Sequence, residues 1–201
     1  MSNPKALDSE ALRIAAQNGN AECVRLLLPV SDPKAMASYA LRLAARNGHA
    51  ECVKLLLTVS DAKDRESEAL RLAASKGHVE CVRMLLPVSD PKAADFYALR
   101  WAAAYGHGEC VRLLAQVSGP LCEIEGLLEG VIEAGHAKLA ALLIEQEPRL
   151  LDGLDLAKYL AAARERGCED VASYLSSIIE QKAILGLLLE RPARSPRLAR
   201  I

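Results

Sequence analysis

The sequence predicts an all-α solenoid of stacked helix-turn-helix repeats, and two observations carry this prediction. The 29-residue stretch 32–60, DPKAMASYALRLAARNGHAECVKLLLTVS, recurs in close copies that begin at Asn3, Asp61 and Asp90. Within each copy, apolar residues lie three and four positions apart, as they do on one face of an α-helix. A fixed period of about 20–50 residues is typical of a repeat array, in which each unit contacts only its neighbours.

Three residue types hold the register of the repeat. One arginine, one glycine and one cysteine return every 29 residues in four consecutive copies. They are Arg13, Arg42, Arg71 and Arg100; Gly19, Gly48, Gly77 and Gly106; and Cys23, Cys52, Cys81 and Cys110. A degraded fifth copy begins at Gly119 and keeps Gly135 and His136, and in a sixth copy Gly167 lies 32 residues beyond Gly135.

The copies divide the chain into six predicted units followed by two terminal segments. The units lie near residues 3–31, 32–60, 61–89, 90–118, 119–147 and 148–175. Residues 176–190 are predicted to form a helix that caps the stack, because terminal repeats are usually atypical. Residues 191–201 contain Pro192 and Pro196 and four arginines, and we expect them to form a disordered basic tail.

Each unit is predicted to contain two helices. The first begins at an aspartate that caps the helix, often followed by proline, as in Asp32-Pro33, Asp61 and Asp90-Pro91. It ends at a glycine such as Gly48, which can take the left-handed conformation of a C-cap. The second helix has a glutamate in its first turn, and a basic residue three positions later can pair with that glutamate.

The composition limits the functions that are available. At 51% hydrophobic residues, the chain has enough apolar surface for a continuous core. The net charge of −1 argues against nucleic-acid binding. It hides an asymmetry, because residues 1–190 alone carry 21 basic against 26 acidic residues and the four remaining arginines lie in 191–201.

The N-terminus lacks the basic start and apolar run of a signal peptide. The apolar run 183–189 is far shorter than the roughly 20 residues that span a bilayer, so we expect a soluble, cytoplasmic protein.

The repeated cysteines are predicted to be buried free thiols. They lie in the middle of the second helices, and stacked helices are about 8–10 Å apart. A disulfide needs Cα atoms within about 7 Å, so neighbouring cysteines of this set should neither bond nor share a metal ion. Buried thiols behave as small apolar side chains, which is consistent with a reducing compartment.

The segment LRLAARNGHAECVKLLL resembles the centre of an ankyrin repeat. Leu-x-Leu-Ala-Ala, Asn-Gly-His and Val-Lys-Leu-Leu-Leu follow in the family's order and spacing over four units. With the two degraded units, the resemblance covers about residues 3–175. In ankyrin proteins, the β-hairpin fingers and the first helices line a concave surface that binds partner proteins, so the resemblance implies a protein-binding function.

The sequence departs from the ankyrin pattern in two ways. The familiar unit has about 33 residues, and the four that are missing here lie between Leu57 and Ala69, where ankyrin proteins place the finger. The usual Thr-Pro-Leu-His start is replaced by Tyr-Ala-Leu-Arg or Glu-Ala-Leu-Arg. We therefore infer that the finger is lost and that the first helix starts upstream, which makes the stack more purely helical.

No residue set in the sequence predicts catalysis, a metal site or a cofactor. The four histidines, His49, His78, His107 and His136, occupy the Gly-His turn and lie one stacking step apart. They should therefore not converge on one ion or substrate. The arginine row at 13, 42, 71 and 100 has two interpretations: arginines packed along the neighbouring repeat and paired with glutamate, or a basic stripe that binds an acidic partner.

The fourth unit contains an unusual aromatic cluster. Phe96, Tyr97, Trp101 and Tyr105 are four of the seven aromatic residues of the chain, and the last three are spaced i, i+4, i+8 on one helical stripe. We predict a partner contact there, with Phe96 and Tyr105 exposed. Trp101 either joins that contact or fills space against Gly130, its counterpart in the fifth unit. The predicted contact residues also include Arg46, Arg71, Lys76 and Arg100.

These observations predict a monomeric, non-catalytic module that binds a protein partner, with no nucleic-acid ligand. The similarity between units is common in bacterial and viral ankyrin proteins, which suggests an effector or inhibitor that is delivered into a host cell. A scaffold that self-associates through its ends is the alternative, and an enzyme adaptor is a third. The tail spaces its arginines every third residue, which would suit an acidic surface, a secretion address or a flexible solubilising segment.

Overall fold

The computed structural model describes residues 4–30 and 33–189, and they form the predicted all-α solenoid. These residues contain twelve α-helices and no β-strand. The helices are α1 (Pro4–Gln17), α2 (Ala21–Leu27), α3 (Pro33–Asn47), α4 (Ala50–Leu56), α5 (Asp64–Ser75), α6 (Val79–Leu85), α7 (Ala93–Ala104), α8 (Gly108–Ser118), α9 (Leu127–Glu133), α10 (Ala137–Gln146), α11 (Leu156–Glu165) and α12 (Glu169–Leu189). Short 3-10 helices, Leu121–Glu123 and Pro148–Leu151, precede α9 and α11.

Two ladders of fully buried aliphatic residues run through the stack. The first helices contribute Leu12, Leu41, Leu70, Leu99 and Leu128, and the second helices contribute Leu56, Leu85, Leu114, Leu143 and Leu175. Each buried leucine stabilises the fold by about 1.5–3 kcal/mol relative to exposure. Alanines such as Ala44 and Ala45 are also fully buried, and their small side chains let the first helices pack closely on one another.

The glycine–histidine turn joins units two to five to the unit before each of them. Gly77 has a φ of +73°, and a Cβ atom on it would lie 2.6 Å from the His107 ring. The ring fills the space that a side chain would need, and its Nε2–H donates to the backbone carbonyl of Ser75 at 3.1 Å. His49, His78 and His136 bond in the same way to the carbonyls of Gln17, Arg46 and Ala104. These carbonyls end the first helices and have no partner within the helix.

The predicted helix starts are wrong in the third and fourth units. α5 begins at Asp64 and α7 at Ala93, three residues after the expected aspartate caps. Asp61 instead accepts from the backbone N–H of Lys63 at 2.8 Å, and Asp90 accepts from that of Lys92 at 2.9 Å. An aspartate that bonds its own backbone two residues ahead forms a turn that competes with the helix.

Each of these two turns leads into three residues with left-handed backbone. They are Arg65, Glu66 and Ser67 in α5, and Ala94, Asp95 and Phe96 in α7, with φ between 51° and 58°. This conformation costs about 1 kcal/mol per residue for side chains other than glycine. Tertiary contacts offset the cost, because Ser67 is fully buried and its Oγ accepts from the Asp90 N–H at 2.8 Å.

The last two units differ from the first four. In the sixth unit Cys168 stands where units two to five have histidine, and its Sγ lies 3.4 Å from a Cβ placed on Gly135. Arg166 takes over the bond to the preceding helix, and its Nη1 donates to the carbonyl of Glu133 at 2.9 Å. This arginine therefore replaces the histidine of the regular turn.

The capping segment predicted at 176–190 is not a separate helix. It is the C-terminal part of α12, which runs from Glu169 to Leu189 without a break. Neither glycine nor proline lies near residue 176, so nothing in the backbone ends the helix there. The basic tail predicted at 191–201 lies outside the described residues.

Cys23 departs from the predicted burial of the repeated cysteines. Cys52, Cys81 and Cys110 are buried, whereas Cys23 is exposed. Among the described residues a unit lies before each of the three buried cysteines, whereas none lies before Cys23. The predicted ion pairs on the second helices are present in three units, as Arg25–Glu22, Arg83–Glu80 and Arg112–Glu109.

Candidate functional site

Four apolar residues of the first helices occupy the same repeat position in units one to four. They are Ile14, Leu43, Leu72 and Trp101, and we call them the apolar row. Ile14 is 45% exposed and Trp101 is 36% exposed, and Leu43 and Leu72 are half-buried. We call the surface around this row the first-helix face. A row of apolar side chains that is at least partly exposed on a repeat surface is a candidate interaction site.

The aromatic residues of α7 stack along this face as the i, i+4, i+8 spacing predicts. The ring centroids of Tyr97 and Trp101 are 5.3 Å apart, and those of Trp101 and Tyr105 are 5.2 Å apart. Tyr105 is 53% exposed and caps the C-terminus of α7. Trp101 therefore belongs to the surface and not to the core. We call these three residues the aromatic cluster.

Phe96 lies apart from the aromatic cluster and is half-buried, so its predicted exposure is wrong. It is the last residue of the left-handed segment in α7, and its side chain packs against the hydrophobic core. The ammonium of Lys92 lies 6.0 Å from its ring centroid. The left-handed backbone of residues 94–96 takes the Phe96 side chain off the stripe that Tyr97, Trp101 and Tyr105 form. The Phe96 side chain therefore packs toward the core.

An open groove separates the aromatic cluster from the fifth unit. Its volume is about 240 Å³, and it is lined by Arg100, Trp101, Ala104, Gly126, Leu127 and Gly130. Gly126 and Gly130 stand at the repeat positions of Tyr97 and Trp101. A Cβ atom on either glycine would meet no atom of a neighbouring element within 4 Å. The groove exists because two side chains of the regular repeat are missing.

The arginine row is largely used inside the stack. The residue three positions before each arginine alternates between glutamate and tyrosine: Glu10, Tyr39, Glu68 and Tyr97. Arg13, Arg42 and Arg71 each approach this residue in their own unit or in the next one. The Arg13 and Arg42 guanidinium carbons lie 6.0 and 5.0 Å from the Tyr39 ring centroid, and that of Arg71 lies 5.1 Å from the Tyr97 centroid. These are cation–π distances.

Ion pairs and backbone bonds hold the same arginines. Arg42 is buried and contacts Asp64 and Glu68, each at 3.0 Å. Arg71 donates to the carbonyl of Arg65 at 2.8 Å. Arg100 pairs with Asp95 at 3.3 Å and also donates to the carbonyl of Glu125. The geometry therefore supports the structural interpretation of the arginine row over a free basic stripe.

Arg46 and Lys76 differ from the arginine row. Both side chains are exposed, and neither has an ion-pair partner among the described residues. Arg46 follows Leu43 by three residues and Lys76 follows Leu72 by four, so each lies one helical turn beyond the apolar row. They give the first-helix face a positive border.

The titratable groups of the described segments include three buried thiols on the second helices. No three His, Cys, Asp or Glu side chains there lie close enough together to hold a metal ion. Burial raises the pKa of the Cys81 and Cys110 thiols to about 11, and the neighbouring glutamates Glu80 and Glu109 add to this effect. A thiol with a raised pKa is a poor nucleophile at neutral pH. No helix in the described part of the chain is long and apolar enough to cross a membrane.

A family model described as ankyrin repeats (3 copies) matches residues 2–66 and 41–124, which together make up more than half of the chain. The chain belongs to the ankyrin repeat family. Ankyrin repeats are generally protein–protein interaction modules and are typically not catalytic. A search of the curated proteins found no match.

Two features of this ankyrin surface were not predicted from the sequence. The alternation of glutamate and tyrosine beside the arginine row places Tyr39 on the face, and the 29-residue alignment contains that signal. In the same alignment, Gly126 occupies the repeat position of Tyr97, and Gly130 occupies that of Trp101. Only the pair of glycines, and not either one alone, predicts an open groove.

Proposed function

We propose that this ankyrin protein binds a protein partner through the first-helix face, with the aromatic cluster as the principal contact. The observation that carries the proposal is the stack of Tyr97, Trp101 and Tyr105 at the end of the apolar row. Tryptophan and tyrosine contribute a large part of the binding energy in protein interfaces. Rings that already stack on one another lose little conformational freedom when a partner covers them.

The predicted contact residues contribute differently to this surface. Trp101 and Tyr105 offer exposed ring area, and Arg46 and Lys76 offer charge. Arg71 positions the Tyr97 ring, and Arg100 forms an edge of the groove. Phe96 packs the left-handed segment of α7 against the core, so its replacement would test folding more than binding.

The proposal is tested by affinity capture from lysate with quantitative mass spectrometry. A Trp101→Ala, Tyr105→Ala double variant should lose a partner that the wild type retains, with affinity reduced by tenfold or more, since hot-spot truncations cost about 2 kcal/mol or more. The matched control is a Val88→Ala, Val117→Ala double variant, which removes two exposed apolar side chains that follow α6 and end α8. It should retain the partner. Circular dichroism must show all three proteins equally helical, and equal capture by both double variants would contradict the proposal.

Self-association through the end of the first unit is a second candidate function. At this end Leu26 is 68% exposed and Val30 is 53% exposed, and Cys23 is exposed where its counterparts are buried. A scaffold of this kind would show a mass that rises with concentration in analytical ultracentrifugation, and Leu26→Glu would abolish the rise. A constant monomer mass would rule out this candidate and leave partner binding in place.

A reducing compartment is part of the same proposal. Cys52, Cys81 and Cys110 pack between units as small apolar side chains, and oxidation would place polar oxygen atoms in the core. The protein is therefore suited to a cellular compartment in which thiols stay reduced.

A further inference from the structure

We infer that the groove between α7 and α9 is a pocket for one leucine-sized apolar side chain of an extended, acidic peptide segment. The inference rests on the proposed function and adds the chemistry of the ligand to it. We call this groove the Trp101 pocket, with the six lining residues given above. Its volume of about 240 Å³ holds a single side chain and is smaller than the roughly 300–1,000 Å³ of typical small-molecule sites.

The Trp101 pocket is the open end of the apolar row. Gly130 occupies the repeat position that Leu43, Leu72 and Trp101 fill in the preceding units, so the row lacks one side chain at its end. A ligand side chain placed there would contact the Trp101 ring, the Leu127 side chain and the Ala104 methyl group. It would restore the packing that the regular repeat supplies from within.

The spacing of the row selects an extended ligand. Neighbouring first helices lie about 8–10 Å apart. A polyproline II segment has three residues per turn and rises about 3.1 Å per residue, so side chains on one of its faces recur about every 9 Å. One apolar side chain in three would then meet the Trp101 pocket, the Trp101 ring, Leu72 and Leu43 in turn. Side chains on one face of an α-helix recur at a spacing of about 5–6 Å, which does not match this row.

The charges beside the row select acidic residues in the ligand. Arg46 and Lys76 are exposed along one side of the row and have no ion-pair partner in the described part of the chain. Carboxylates between the apolar positions of the ligand would lie within reach of these two cations. The protein's own residues 191–201 carry four arginines and no acid, so like charges disfavour them as the occupant.

The test uses a fluorescein-labelled peptide of four Leu-Pro-Glu copies in a fluorescence anisotropy titration. Proline favours the polyproline II form, and leucine and glutamate supply the two selected properties. Gly130→Leu should weaken binding by about tenfold or more, because it fills the pocket with the side chain that Leu43 and Leu72 provide elsewhere. The same substitution should raise the thermal midpoint of unfolding, because leucine favours the helix and the site is open.

Gly108→Ala is the matched control. Gly108 is also open and has no positive φ, but it begins α8, away from the groove, at the position of Ala50. It should leave the affinity within twofold of the wild type. An Arg46→Glu, Lys76→Glu variant should weaken the acidic peptide and strengthen a peptide of Leu-Pro-Lys copies. A peptide of Leu-Pro-Glu-Glu copies, with the wrong spacing, should bind more weakly to the wild type.

Three results would overturn the inference. The first is equal affinity of the wild type and Gly130→Leu for the peptide, and the second is that none of these peptides binds. The third is tighter peptide binding after deletion of residues 191–201, which would identify the tail as the occupant. None of these results contradicts the proposed function, because that function is tested independently by the capture experiment with the Trp101→Ala, Tyr105→Ala variant. A stable Gly130→Leu variant with reduced affinity cannot be explained by misfolding.

Discussion

At the residue scale, the same sequence position has different properties in different units because its neighbours differ. The repeated cysteine is exposed in the first unit and buried in the next three. Burial raises the pKa of Cys81 and Cys110 to about 11, from an ordinary value of 9.0. The position is identical in sequence, so the difference comes entirely from the unit that packs against it.

This burial predicts a loss of stability in alkaline solution. The unfolded chain releases the two thiol protons near pH 9, whereas the folded protein retains them up to about pH 11. The contribution of these thiols is therefore complete at neutral pH and decreases as the pH rises from about 9 to 11. Urea denaturation midpoints measured from pH 7.5 to 10.5 should fall in the wild type. They should fall less in a Cys81→Ala, Cys110→Ala variant, and parallel curves would contradict the prediction.

At the scale of the element, tertiary contacts decide where the first helices start. The repeats open with similar sequences, yet α3 begins at Pro33 whereas α5 and α7 begin two repeat positions later and contain a left-handed segment. Asp61 and Asp90 form turns, and the buried Ser67 hydroxyl bonds to the next unit. The sequence predicts a cap at each aspartate but contains no information about which partner the aspartate finds.

A glycine in the left-handed segment should stabilise the protein. Glu66 is exposed and has a φ of +57°, a conformation that glycine adopts without strain. We expect Glu66→Gly to increase the free energy of unfolding by about 0.5–1 kcal/mol after the entropy cost of glycine is subtracted. Lys54→Gly, at an exposed right-handed position in α4, should instead lower it by about 1 kcal/mol. Chemical denaturation measures both, and destabilisation by both variants would show that residue 66 is unstrained.

At the scale of the whole molecule, polar contacts between units join the stack as regularly as the leucine ladders do. Each histidine of the turn reaches a carbonyl in the unit before it. Where the sixth unit lacks the histidine, Arg166 bonds to the corresponding carbonyl of Glu133. Because units contact only their neighbours, weakening one of these junctions weakens the cooperativity of the array.

The histidine junctions can be compared by alanine substitution. His107→Ala removes the bond to the Ser75 carbonyl and should cost about 1–3 kcal/mol. His49→Ala should cost less, because Asn47 also donates to the Gln17 carbonyl at 2.8 Å and keeps that group satisfied. Both variants lose the same ring packing on a glycine, so the difference between them isolates the hydrogen bond. Equal losses in thermal and chemical unfolding would show that packing alone joins the units.

The sequence by itself determined the all-α repeat stack, the family, the buried leucine ladders and the aromatic stripe. It did so because these features depend on periodicity, and a period of 29 residues leaves the same side chains facing the same neighbours. Only the tertiary structure decided the late starts of α5 and α7, the inward position of Phe96, the exposure of Cys23, the bonding of the arginine row and the open groove beside Trp101. Each of these features depends on which residues of the neighbouring unit contact the side chain. Packing between units decides those contacts, and the sequence of a single repeat does not contain them.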